Sequence, residues 1–181
     1  MTTGFDRTET GRVVVRLDEL ERAMLTSLAD QVITLVSPAA DADDLDPLAA
    51  MVGIGVDATT PDDPVLARLL PDGYRDDPDA AGDFRRFTEL DLRQMKVAHA
   101  RTVIECLARS GEKVTLTDDE CASWLGLLND ARLALGTRVG ITDDNHEELG
   151  ALPDDDPRIP MLQVYDWLTY LQDSLVQVLL P

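Results

Sequence analysis

The chain is poor in aromatic residues, and this shortage already constrains its interior. Only 2 Trp, 3 Tyr and 3 Phe occur in 181 residues, so leucine, valine and alanine must form most of the core. Apolar residues still make up 44% of the chain, which is enough for a folded core and excludes wholesale disorder. No apolar run approaches the roughly 20 residues that a membrane-spanning helix needs.

Basic residues are also scarce. The chain has 16 Lys+Arg against 35 Asp+Glu, which gives a formal net charge of -19. Nucleic acid binding draws most of its affinity from Lys and Arg contacts with phosphates, and so acidic a surface repels both a duplex and an anionic membrane. We therefore predict a protein that binds neither nucleic acid nor a membrane.

Cysteine is limited to two residues, Cys106 and Cys121, and both lie in segments of helical periodicity. The N-terminal residues show no charged segment followed by an apolar one, as a secretory signal would. Two thiols in a chain without such a signal are typical of a reducing compartment. We expect a cytoplasmic protein in which both cysteines are buried in the core.

Hydrophobic periodicity predicts a mainly α fold. Apolar residues recur at helical spacing in four long segments, 18–37, 88–109, 117–139 and 160–180. Shorter helices are expected at 46–53, 63–70 and 79–87. Two short segments, 13–17 and 113–116, have the composition of strands, and pairing them satisfies their backbone groups. The prediction is a multi-helix bundle with a small two-stranded β ribbon, forming a single helical domain over residues 11–181.

Two segments lack this periodicity. Residues 1–10 are polar and are expected to be disordered. Residues 38–63 contain three prolines and seven aspartates, which predicts an acidic, loosely structured connection.

The segment 88–109 is the most informative part of the chain. Thr88 resembles a helix cap, and the residues that follow are apolar on two sides, as expected of a helix at the centre of a bundle. Residues 84–109 carry six basic against three acidic side chains, an excess that stands out in so acidic a chain. Two interpretations stay open for Arg93 and Arg101. They form partly buried ion pairs, or they line an anion-binding groove sheltered within the acidic surface.

His99 lies in an apolar stripe of the same predicted helix. It is either a core histidine bonded to a neighbouring group or a base in a pocket lined by Met95 and Cys106. The other ligand or partner candidates, which would add polar anchors to a groove around Arg93, His99 and Arg101, are Tyr74, Arg75, Asp166 and Trp167.

Motifs of common catalytic and cofactor sites are missing from the sequence. The 11 glycines do not form a phosphate-binding loop, and the two histidines do not have the spacing of a zinc protease. The acidic run 41–46 has Leu45 where a calcium loop needs a ligand. The sequence thus predicts no catalytic residue, no cofactor and no metal, and it favours a non-enzymatic protein over an enzyme.

Several runs of residues resemble an uncharacterised actinobacterial family, one of the domains of unknown function. The similar runs are LLPDGYR at 69–75, FRRFT at 84–88, LALGTR at 133–138 and VYDWL at 164–168. The resemblance implies a cytoplasmic helical protein whose gene often lies near that of the Clp protease adaptor. Some members of that family carry the label of transcriptional regulator, which the net charge and the lack of a recognisable recognition helix disfavour here.

Three functions stay open at this point. The first is a non-enzymatic interaction or regulatory protein that acts through a helical surface, with a protein partner or as a homodimer. The second is a small-anion-binding protein or enzyme that uses the region around Arg93, His99 and Arg101. The third is a transcriptional regulator that binds DNA, which the net charge of -19 disfavours.

Overall fold

The structure is a computed structural model that describes residues 4–37, 59–74, 76–109 and 111–180. Three strands in this part of the chain are β1 (Phe5–Arg7), β2 (Val13–Arg16) and β3 (Lys113–Leu116). The helices of the same ranges are α1 (Glu19–Val36), α2 (Pro64–Leu69), α3 (Pro78–Leu107), α4 (Asp118–Val139), α5 (His146–Gly150) and α6 (Ile159–Leu179). The mainly α prediction is confirmed. The predicted helix 46–53 and most of the acidic connection 38–63 lie outside the described residues.

The strands form an antiparallel sheet in the order β1-β2-β3. β2 pairs with β3 as predicted, with Val13 opposite Leu116. The other edge of β2 pairs with β1, which places Phe5 opposite Val15. The predicted ribbon of β2 and β3 is therefore present, and β1 extends it to three strands.

Phe5 explains why this polar N-terminal segment is ordered. Its ring meets Trp124 edge-on with centroids 5.4 Å apart, and only 5% of the residue is exposed. Its backbone N–H donates to Ser174 Oγ at 3.0 Å. The expected disorder of residues 1–10 is thus wrong for Phe5–Arg7, because contacts with distant helices fasten a segment that carries no local signal.

α3 is one helix of 30 residues where two were predicted. It begins at Pro78, where the Asp77 side chain accepts from the Ala80 N–H. The expected boundary at Thr88 does not exist, because the Thr88 hydroxyl donates to the Phe84 carbonyl inside the helix. A threonine that satisfies its hydroxyl in this way does not cap a new helix.

Two other long helices, α1 and α4, begin where their capping residues predict. Asp18 with Glu21 and Thr117 with Glu120 form capping boxes at the starts of α1 and α4. α4 ends at Gly140, whose φ of 78° suits glycine. The short helix α5 lies between the predicted helices 117–139 and 160–180, where no helix was predicted.

The core is enclosed by the sheet and helices α1, α3, α4 and α6. α4 occupies its centre, where it packs against α1, α2, α3 and α6. The prediction gave that place to α3, but α3 leaves one long face exposed. No helix within the described ranges is long and apolar enough to cross a membrane.

Candidate functional site

Arg93 lies in a network that joins α3 to α1. Its Nη1 donates to the Val36 carbonyl at 2.8 Å, and its Nε donates to Glu89 Oε1 at 2.8 Å. The last turn of α1 has no basic residue of its own, so Arg93 supplies the positive charge that a helix C-terminus favours. Arg93 therefore forms a partly buried ion pair, and its partner Glu89 lies one turn away in the same helix.

Arg85, which was not among the candidate site residues, is the other half of this network. It is only 4% exposed, and its Nη2 donates to the Leu70 carbonyl at 2.9 Å and to Asp72 Oδ1 at 2.5 Å. Its Nη1 donates to Glu89, which thus lies between Arg85 and Arg93. The hydrogen bond from Arg85 lowers the pKa of Asp72. These contacts fasten the segment before Tyr74 onto α3.

A buried ion pair connects α3 with α4. Lys96 Nζ lies 2.6 Å from Asp130 Oδ1, and the two residues are 8% and 2% exposed. Burial raises the pKa of Asp130, although the hydrogen bond from Lys96 opposes this shift. The pair places one charge of each sign in the helix interface, where each compensates the other.

His99 packs against α4 close to this pair. Its half-buried ring lies so near Gly126 that a Cβ at that position would overlap it. Met95 is 47% exposed and Cys106 is fully buried in the core, so these two residues do not line one pocket with His99. This packing gives the ring a structural role, and the two interpretations of His99 from the sequence stay predictions.

The candidates on α3 do not line a common cavity with their side chains; these are Arg93, His99 and Arg101. Arg93 contacts α1, His99 contacts α4, and Arg101 is exposed. The basic excess of residues 84–109 likewise does not form a basic groove, because Arg85, Arg93 and Lys96 point inward and are paired with carboxylates. Ligand binding by any of these residues stays a prediction.

Tyr74 belongs to an exposed aromatic patch that is formed by α3 and the segment before it. We use this name for Tyr74, Phe84, Phe87 and Met95, which are 53%, 46%, 62% and 47% exposed. The Tyr74 and Phe84 rings meet edge-on with centroids 5.8 Å apart. Gly73 lies under the Phe84 ring, where a Cβ would approach within 2.7 Å. Four large apolar side chains are thus gathered on one side of the molecule.

Tyr74 was a candidate residue from the sequence, whereas Phe84 and Phe87 were not. Phe84, Phe87 and Met95 have the spacing i, i+3 and i+11, which places them on one helix face. The predicted boundary at Thr88 divided these residues between two helices, and Met95 was considered as a residue lining a pocket around His99. The spacing of these three residues reveals a common face only when residues 78–107 are treated as one helix.

The remaining candidates lie elsewhere or outside the described residues. Asp166 is exposed on α6, and Trp167 is half-buried against the core. α6 packs on α4 and β1, so these two residues do not join the candidates on α3. Arg75 lies outside the described residues.

The two cysteines are free, buried thiols, as predicted. Burial raises the pKa of both Cys106 and Cys121, which keeps them protonated and weakly nucleophilic. Among the side chains that the structure describes, no group of three or more His, Cys, Asp and Glu is placed to hold a metal ion.

Fold and site together define a mainly helical protein whose buried charges hold its own elements together and whose aromatic patch faces outward. The chain belongs to the family described as a domain of unknown function (DUF2017), which matches residues 2–179. The resemblance to an actinobacterial family of unknown function is thereby confirmed.

Proteins similar to this chain carry the name of a regulator. The oxidative stress regulator AosR of Mycobacterium tuberculosis (strain ATCC 25618 / H37Rv) is 33% identical over 174 residues, which cover 88% of this chain and 78% of that protein. The putative oxidative stress regulator AosR of Mycobacterium leprae (strain TN) is 33% identical over 174 residues, which cover 88% of this chain and 79% of that protein. No solved structure matches the chain.

Proposed function

We propose that the chain is a non-enzymatic, cytoplasmic regulatory protein that acts by binding another protein, in the response to oxidative stress for which its relatives are named. The observation that carries this proposal is the aromatic patch. Exposed aromatic and methionine side chains gathered on one face are typical of surfaces that bind a protein partner. Identity of 33% over 88% of the chain supports the same class of function as the named regulators.

The buried cations support an interaction protein over a small-anion-binding one. Arg85, Arg93 and Lys96 each donate to protein carboxylates, and both arginines also donate to backbone carbonyls. A small anion would have to displace these contacts, leaving a buried carboxylate unpaired. These side chains are better suited to holding α3 in place than to binding a ligand.

In this proposal the oxidant is sensed outside this chain. Cys106 and Cys121 are the 2 cysteines of the sequence, and burial raises the pKa of each thiol. Cysteines that react with oxidants are exposed and have a low pKa. The protein then transmits the oxidative signal by contact with its partner.

The proposal is tested by deleting the gene and measuring survival and transcript levels after exposure to hydrogen peroxide. We expect the deletion strain to respond differently from its parent, and the wild-type gene to restore the response. Phe84→Ser/Phe87→Ser, which removes the centre of the aromatic patch, should fail to restore it. The matched control is Leu20→Ser, which removes another exposed apolar side chain (75% exposed), on α1.

A deletion strain that matches its parent in survival and transcripts would refute the regulatory role. A second measurement addresses direct contact with DNA. Retention of duplex DNA by the purified chain at low salt, where electrostatic attraction is strongest, would instead support a DNA-binding regulator.

A further inference from the structure

The aromatic patch has the length of a helix-binding surface. Phe84 and Met95 are 11 positions apart on α3, and at 1.5 Å per residue this corresponds to about 16 Å. A partner helix lying along this distance presents about three turns, with apolar anchors at i, i+3 or i+4, and i+7. Phe84 and Phe87 would face one end of such a helix and Met95 the other, with Asp91 between them.

The aromatic patch is also held in place before any partner arrives. Arg85 binds the Leu70 carbonyl and Asp72, which fixes the segment that carries Tyr74. The Tyr74 ring then packs edge-on against Phe84. A surface with its side chains already ordered loses less conformational entropy on binding, which favours a specific contact.

Among the described residues near the aromatic patch in the sequence, the exposed charges are mostly negative. Arg86, which lies between the two phenylalanines in the sequence, is exposed, and its Nη1 lies 3.9 Å from Asp83 Oδ1. The exposed acidic residues at the start of α3 and along the patch are Asp76, Asp77, Asp79, Asp83 and Asp91. Asp91 occupies the position i+7 from Phe84, so a negative charge lies within the apolar face itself.

We infer that the aromatic patch binds an amphipathic helix of the partner protein whose apolar anchors are flanked by Lys and Arg. This inference rests on the proposed function and specifies its partner. The apolar anchors would fill the space between Phe84, Phe87 and Met95, and the basic side chains would lie against Asp83 and Asp91. The overall charge of -19 adds long-range attraction for a basic partner, which speeds association.

A second copy of the chain fits this surface poorly. In a two-fold symmetric contact the same patch is present on both sides, so Asp83 and Asp91 of one copy would meet the same acids of the other. Like charges brought together at an interface oppose binding. An anionic membrane or a nucleic acid is repelled for the same reason.

The inference is tested with a synthetic peptide of about 18 residues, roughly five turns, with Leu at i, i+3, i+4 and i+7 and Lys elsewhere. Fluorescence anisotropy measures its binding to the purified full chain. We expect Phe84→Ser/Phe87→Ser to weaken binding about tenfold or more, because aromatic anchors dominate such contacts. Leu20→Ser is expected to bind as the wild type does. Circular dichroism establishes that each variant is folded, and Phe87→Ser alone replaces the double variant if that one unfolds.

Two further probes separate specific binding from simple charge attraction. A scrambled peptide of the same Leu and Lys composition without an apolar face is expected to bind at least about tenfold more weakly. A Leu–Glu peptide of the same pattern is expected not to bind the wild type. The variant Asp83→Lys/Asp91→Lys, which stays strongly acidic overall, should bind the Leu–Lys peptide more weakly than the wild type does and so reduce the preference for it.

Equal binding of the wild type and Phe84→Ser/Phe87→Ser would overturn the inference, as would equal binding of the scrambled peptide. A dimer in analytical ultracentrifugation that this double variant dissociates would overturn it in favour of a second copy. These outcomes are independent of the proposed function. The deletion strain could respond abnormally to peroxide while the peptide binds the wild type and Phe84→Ser/Phe87→Ser equally. In that case the regulatory role stands and the partner class is wrong.

Discussion

Replacing Lys96 by methionine tests how the buried ion pair holds α3 against α4. Methionine preserves the length and apolar stem of the side chain but removes the donor that lies 2.6 Å from Asp130. Asp130 is 2% exposed, so its carboxylate would stay in the interior without a partner. Breaking a buried pair in this way costs about 3–5 kcal/mol. For a chain of this size the melting temperature should fall by roughly 10 °C.

The pH dependence of this variant provides a sharper test than its stability alone. Without Lys96, burial raises the pKa of Asp130 with less opposition. A carboxyl whose pKa is higher in the folded state destabilises that state as the pH rises from its ordinary value of 3.8 through the raised value. Lys96→Met should therefore be closest to the wild type near pH 4 and most destabilised at pH 7.

Urea unfolding followed by tryptophan fluorescence at both pH values measures these differences. The double variant Lys96→Met/Asp130→Leu removes both charges and should recover stability to within about 1 kcal/mol of the wild type. Arg101→Met, an exposed change on the same helix, should stay within about 0.5 kcal/mol. A loss below about 1 kcal/mol for Lys96→Met at pH 7, or an equal loss at both pH values, would refute this account.

Three other predictions follow from single contacts. The hydrogen bond from Arg109 is the main cause that lowers the pKa of Glu120 to about 2, so Glu120 contributes stability above its ordinary value of 4.5 that is lost as the pH falls toward 2. Glu120→Gln should cost about 1 kcal/mol at pH 7, since Arg109 is half-exposed, and the difference should shrink at pH 3 in urea unfolding. Neither thiol should react with a thiol reagent in the folded protein, and both should react in denaturant; rapid labelling of the folded chain would contradict their burial. Gly126→Ala should destabilise the protein by about 1–3 kcal/mol through overlap with His99, and His99→Ala in the same chain should recover part of this loss in thermal unfolding.

Local patterns predicted most of the helical structure. α1 and α4 begin after capping residues whose side chains accept from free N–H groups of the first turn. Each capping box spans only four residues, so it can be recognised from the local sequence. The pairing of β2 with β3 was also predictable, because both are short β-branched segments with unsatisfied backbone groups. In each case the determining contact lies within the segment or with one obvious partner.

One error concerns contacts between residues far apart in the sequence, and the other concerns a choice between two local hydrogen bonds. β1 depends on Trp124 and on Ser174, whose hydroxyl accepts from a backbone N–H 169 positions away. At Thr88 the local pattern predicted a helix cap, in which the hydroxyl oxygen accepts from a following N–H, whereas the hydroxyl donates to the Phe84 carbonyl inside a continuous helix. A short window of residues allows both arrangements, so the continuity of α3 was not readable from it.

For the candidate site, the sequence determined which charges α3 carries, and the tertiary structure decided where they point. Arg93, Lys96 and Arg101 look alike in the sequence, yet one binds the end of α1, one is buried against α4, and one is exposed. A helical period assigns residues to faces, but only the packed neighbours decide which face is interior, because burial is a property of the assembled elements. The same packing leaves Phe84 and Phe87 exposed, and so forms the aromatic patch on which the proposed function rests.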